Sequence, residues 1–96
     1  MIDYVAGGKH QGREQLIGKL KAAGIFNRIE DRGRGLVRVW TGPAFDAMDV
    51  QDKERFTGVV YVYYFDGSSF SDAVILDDGR TDKPIGDFMR TGLTMK

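Results

Sequence analysis

Leu16, Ile17, Leu20 and Ala23 recur at the three- and four-residue spacing of a single helix face, and Gly24 follows where a C-terminal cap belongs. The spacing predicts a helix from about Gln11 to Ala23, with Arg13, Lys19 and Lys21 in water. Gly18 interrupts it at a cost of about 1 kcal/mol relative to alanine, unless close packing requires a residue without a side chain. Two short alternating segments come next, Ile25 to Glu30 and Leu36 to Thr41. Between them, Asp31-Arg32-Gly33-Arg34-Gly35 supplies the glycines of a tight reversal, which predicts a β-hairpin. Alternation puts Leu36, Arg38 and Trp40 on one face of the second strand and Val37, Val39 and Thr41 on the other. The valine face is the cheaper to bury, so arginine and tryptophan are expected on the outer one.

Gly42-Pro43 ends that strand, because proline has no N–H to give to a ladder. Phe45 and Met48 are expected to plug the core from a connecting turn. The stretch Asp49 to Phe65 is open to two readings. Asp49 is a good N-cap, and Phe56, Val59, Val60, Tyr63 and Tyr64 follow helical spacing. Against this, Val-Val-Tyr-Val-Tyr-Tyr-Phe has high β propensity, and Asp66-Gly67 would make a hairpin turn. The capped, charged start favours the helix, with Gly58 the one breaker inside it. Ala73 to Leu76 reads as a strand, Asp77 to Lys83 as a polar turn, and Pro84 to Met89 as a returning strand whose proline suits an edge. Residues 90–96 are expected to be an extended or frayed tail, and residues 1–10 a flexible leader.

The order helix, hairpin, helix, hairpin predicts one α+β domain over residues 1–96. It is a two-layer sandwich with a four-stranded antiparallel sheet and two helices on one face, α-β-β-α-β-β. A chain of 96 residues has room for one core only. Apolar residues make up 42% and charged residues 29%, the balance of an ordinary globular protein rather than a disordered one. With no cysteine, thiol nucleophiles, disulfides and cysteine-ligated metal centres are excluded. The longest apolar run, Val59 to Phe65, falls far short of a membrane span, so no membrane association and a cytoplasmic location are expected.

Fourteen basic side chains balance fourteen acidic ones, which gives no overall pull toward nucleic acid. The balance is uneven along the chain: residues 1–42 hold eight basic and four acidic side chains, the remainder six and ten. Chance fluctuation of a mixed surface explains this, although such a dipolar chain could also attract its own copies or an acidic partner.

Candidate chemistry is sparse. Gly7-Gly8-Lys9-His10-Gln11-Gly12 could hold an anion at a helix N-terminus, but it lacks the spacing and the preceding strand of a phosphate-binding loop. Asp77, Asp78 and Asp82, and Asp46, Asp49 and Asp52, match no calcium-loop register and are explained by turns and capping. Ser68, Ser69 and Ser71 sit where a turn wants serine. No nucleophile, acid–base pair or metal set emerges, so neither an enzyme nor a cofactor is expected.

Two surfaces remain. Tyr61, Tyr63, Tyr64 and Phe65 make an apolar run too broad for one helix face; either the C-terminal tail with Phe88, Met89, Leu93 and Met95 folds over it or another subunit does, and the second case predicts a protein interface or a homodimer. Arg28, Arg32, Arg34, Arg38 and Trp40 lie along the predicted hairpin and are the alternative, a nucleic-acid contact in which arginines meet phosphates and the indole stacks on a base. The leading expectation is a non-catalytic protein-interaction or accessory domain.

Overall fold

The computed structural model describes residues 12, 14–65 and 69–96. The proposed leader and its anion loop, including His10, lie outside them, apart from Gly12. Helix α1 is described over 14–22 and buries Ile17 and Leu20. It closes as the sequence predicts. Gly24 adopts φ +79°, its N–H donates to the Lys21 carbonyl at 3.1 Å, and the Ile25 N–H donates to the Leu20 carbonyl at 3.0 Å. This paired closure satisfies two carbonyls at the helix end while Leu20 and Ile25 join the core. Among the described residues, no atom outside its own helix backbone and chain neighbours lies within 4 Å of a methyl group built on Gly18, so close packing there does not explain that glycine.

Strands β1 (Phe26–Gly33) and β2 (Leu36–Thr41) form the predicted hairpin. Its two-residue turn, Arg34 and Gly35, has positive φ at both positions, 56° and 78°, as the twist of a tight hairpin requires. The one-turn helix α2 (Pro43–Asp46) sets Phe45 fully inside the core. Helix α3 (Val50–Tyr64) begins at Asp49, whose carboxylate accepts the Asp52 N–H at 2.9 Å. Thr57, Val60 and Tyr61 are its buried positions, and it packs across strands β3 (Ala73–Asp78), β4 (Pro84–Met89) and β5 (Gly92–Met95). The helical reading of Asp49 to Phe65 therefore prevails over the extended one. A methyl on Gly58 would stand 3.4 Å from the Phe88 ring, an ordinary van der Waals contact, so packing does not demand glycine there.

The four-stranded antiparallel prediction is corrected. Among the described residues the sheet has five strands in the order β1-β2-β3-β4-β5, is mixed, and is joined by three helices rather than two. The connection from β2 to β3 carries α2 and α3 and returns the chain to the end where β2 began. β3 therefore runs parallel to β2, from Leu36 beside Ala73 to Thr41 beside Asp78. The two hairpins are thus neighbours joined by a crossover, an arrangement that strand patterning alone does not distinguish from an antiparallel one. The fifth strand comes from the tail: Gly92–Met95 pairs with β4 and occupies the sheet edge in its place. Pro84 is tolerated as the first residue of β4, opposite Asp77 and beyond the reach of β5.

Val37, Val39, Val74 and Leu76 line one face of the sheet and share a core cluster with Leu20, Phe45, Val60 and Tyr61. Among the described residues, the helices therefore cover that face. No described helix is long and apolar enough to cross a membrane.

Candidate functional site

The strand pairings set the outward-facing side chains of the opposite face in three rows across the sheet. One runs Arg28, Trp40, Asp77, Pro84; the middle one Glu30, Arg38, Ile75, Asp87, Thr94; the third holds Leu36 beside Ala73 and Met89 beside Gly92, joined by extending the β3–β4 register one residue past Val74 and Phe88. Leu36, Trp40, Ile75 and Met89 are each half-buried, and none belongs to the core cluster. The middle of the middle row is Ile75, on the central strand.

Charge on this face is largely settled internally. The Arg38 guanidinium grips Asp77 with two hydrogen bonds, Nε to Oδ2 at 2.8 Å and Nη2 to Oδ1 at 2.7 Å. Asp77 is 1% exposed although no described helix covers it, because its arginine closes over it. That hydrogen bonding holds the Arg38 guanidinium pKa above its usual value. Arg28 and Arg32 both pair with Glu30, the latter at 2.8 Å. Their guanidinium carbons also lie 4.6 and 5.9 Å from the centre of the Trp40 ring. Asp87 is half-buried and has no ion pair among the described residues.

Of the hairpin residues singled out in the sequence, Arg28, Arg32, Arg38 and Trp40 meet on this face. Arg34 stands apart in the turn, exposed and with no acidic partner among the described residues.

The tyrosine run does not form one surface. Tyr61 is 4% exposed, with its ring centre 5.4 Å from that of Phe65 and 5.2 Å from that of Phe88. Tyr63 and Tyr64 meet edge to face at 4.7 Å, both half-buried. At about 100° of rotation per residue, consecutive aromatics spread around a helix, and one part of the run enters the core. Burial, and then the nearby Tyr63, Asp31 and Glu14, raise the Tyr64 phenol above its ordinary pKa. Val62, at 42%, is the large apolar residue this end of the helix leaves exposed.

The aspartates act in structure. Asp49 caps α3, Asp52 pairs with Arg55 at 3.0 Å, and Asp78 accepts the Arg80 N–H at 2.7 Å. The Ser69 and Ser71 hydroxyls bond each other at 2.9 Å. Ile75, Asp77, Asp87 and Met89 escape the sequence reading as site residues. Alternation through Ala73, Ile75 and Asp77 was the available signal, and the turn-like Asp77-Asp78-Gly79 obscured it. No family model matches this chain, and neither a curated protein nor a solved structure does.

Proposed function

We propose that this chain is a non-catalytic protein-binding domain whose binding surface is the sheet face carrying Leu36, Trp40, Ile75 and Met89. The observation that carries the reading is the composition of that face. A half-buried apolar ridge crosses the sheet, flanked by Arg38 paired with Asp77 and by Arg28 and Arg32 sharing Glu30. Tryptophan, methionine and arginine are the residues in which protein interfaces are enriched, and a paired charge costs less to desolvate than a free one.

The same pairing weakens the nucleic-acid alternative. Binding to phosphates draws on uncompensated cations that release counterions. Here Arg38 is offset by Asp77 and one of the two charges of Arg28 and Arg32 by Glu30, which leaves the other and that of Arg34 without a matching carboxylate among the described residues.

The test compares the immobilised wild-type chain with Leu36→Glu, which places a charge in the ridge while leaving the Val37/Val39 core face untouched. A nuclease-treated lysate of the source cells is passed over both, and the retained proteins, further copies of the chain included, are identified by mass. The wild type is expected to retain proteins that the variant loses. Identical retention by both would overturn the reading. Saturable quenching of Trp40 by an oligothymidine, falling steeply with salt, would transfer the face to nucleic acid.

A further inference from the structure

We propose that the occupant of this face is a second copy of the same chain, packed sheet to sheet about a two-fold axis that runs along the central strand through Ile75. The inference rests on the reading of the face as a protein-binding surface and names its partner.

Two sheets packed face to face keep their strands roughly aligned, within about 30°. Two centred two-fold axes lying between the sheets can achieve this, one along the strands and one across them. They place different residues opposite one another. The axis across the strands keeps each strand over its own copy and reverses its direction. Arg38 then faces Arg38, Glu30 faces Glu30 and Asp87 faces Asp87, because all three lie in the middle row.

The axis along the strands reverses the strand order and leaves each row over itself. β2 then lies over β4 of the second copy, and β3 over β3. In the middle row Arg38 faces Asp87 and Ile75 faces Ile75, while Glu30 faces the neutral Thr94. In the outer rows Leu36 faces Met89 and Trp40 faces Pro84. Each β2–β4 pairing occurs twice by symmetry. The one like-charged meeting, Asp77 over Asp77, joins two carboxylates that are each 1% exposed and held by their own Arg38. Sheets packed this way stand about 10 Å apart, so those carboxylates do not touch.

The arrangement also gives Asp87 an ion-pair partner, where it has none among the described residues of a single chain. A closed two-fold contact of this kind is the commonest form of oligomer.

Five strands about 4.8 Å apart and three rows about 6.6 Å apart make a face of roughly 500 Å², so a dimer would bury about 1,000 Å² in total. That lies at the lower limit of specific interfaces. The dimer is therefore expected to be reversible, with a dissociation constant in the range of roughly 1 to 100 μM.

Sedimentation velocity of the full chain between about 1 μM and 1 mM tests this, since that range brackets the expected constant. The wild type is expected to shift with concentration from 10.7 kDa toward twice that mass. Asp87→Lys puts a cation opposite Arg38, and Leu36→Glu puts a carboxylate opposite Met89. Each should raise the dissociation constant at least about tenfold while circular dichroism confirms the fold. Val50→Ser, at a 63% exposed position on α3, should leave it unchanged. A strict monomer across the range would overturn self-association. So would a dimer indifferent to both face variants, since the copies would then meet elsewhere. The binding face itself is judged separately, by the retention experiment with Leu36→Glu. Loss of other proteins there, beside a monomeric wild type, would sink the dimer alone.

Discussion

Replacing Arg38 with methionine should cost this domain about 3 kcal/mol of stability, a large part of the roughly 5–10 kcal/mol expected for its size. The magnitude follows from the geometry. Asp77 is 1% exposed, and Arg38 meets it with two hydrogen bonds of 2.8 and 2.7 Å. Methionine fills most of the volume of the arginine stem but leaves the carboxylate buried beside no cation. Breaking a buried pair in this way typically costs about 3–5 kcal/mol. Arg38 is itself 28% exposed, so water can enter where the guanidinium was, which places the loss at the low end. Converting both partners, Arg38→Met with Asp77→Leu, removes the stranded charge as well and should restore most of the loss. The assay is urea unfolding followed by the fluorescence of Trp40, the one tryptophan, whose backbone neighbour across the parallel pair is Asp77. The slope of the transition should not change. A loss below about 1 kcal/mol in the single variant would show that solvent already reaches Asp77. A double variant less stable than either single one would equally refute the reasoning.

Gly18→Ala should raise stability by about 0.5–1 kcal/mol in the same assay, because the site is helical and exposed and, among the described residues, a methyl there meets nothing outside its own helix backbone and chain neighbours within 4 Å. Gly79→Ala should lower it by about 1–3 kcal/mol, since the new methyl would collide with the Thr41 carbonyl and approach the Asn27 amide nitrogen to 2.6 Å; thermal melting would register it. Asp49→Ala removes the carboxylate that accepts the Asp52 N–H and should cost about 1 kcal/mol. The hydrogen bond from the Arg80 N–H, with the Arg80 charge, holds the Asp78 carboxyl below its usual pKa. The folded chain thus binds this proton less readily than the unfolded one, and Asp78 stabilises the fold above its unfolded pKa. That contribution fades as pH falls through the folded value. Asp78→Asn should flatten the acid limb of a stability–pH profile, and an unchanged limb would contradict the assignment.

What the sequence revealed depended on how local each cause was. Gly24 and Asp49 declare the ends of α1 and α3 because a positive φ and a side-chain cap are decided within a few residues. Arg34-Gly35 declares its hairpin for the same reason. Alternation alone placed Val37 and Val39 inward and Arg38 and Trp40 outward, so half of the candidate face was legible. The other half lies on β3 and β4, which the crossover through α3 brings beside β2, and nothing local to Ile75, Asp77 or Asp87 announces that neighbour. Asp77 is the sharpest case. In sequence it opens a polar turn, while in the fold it is the buried partner of an arginine thirty-nine residues away. The tail reads as frayed because Gly92 to Met95 carries little strand propensity of its own; it is ordered by pairing with β4. The aromatic run leaves a choice open. Of the two covers that the sequence offers for Tyr61, the C-terminal segment is the one found, with Phe88 against its ring.

If copies of the chain meet through this sheet face, bringing them together should change the molecule there and nowhere else. Recording the NMR spectrum of the chain labelled with 13C and 15N across a dilution series would locate that change residue by residue. Shifts concentrated at Leu36, Trp40, Ile75, Asp87 and Met89, moving along one binding curve, are the predicted result. Shifts confined to Val62, Tyr63 and Tyr64 on α3, or a spectrum indifferent to concentration, would contradict the association of copies through the sheet face opposite the described helices.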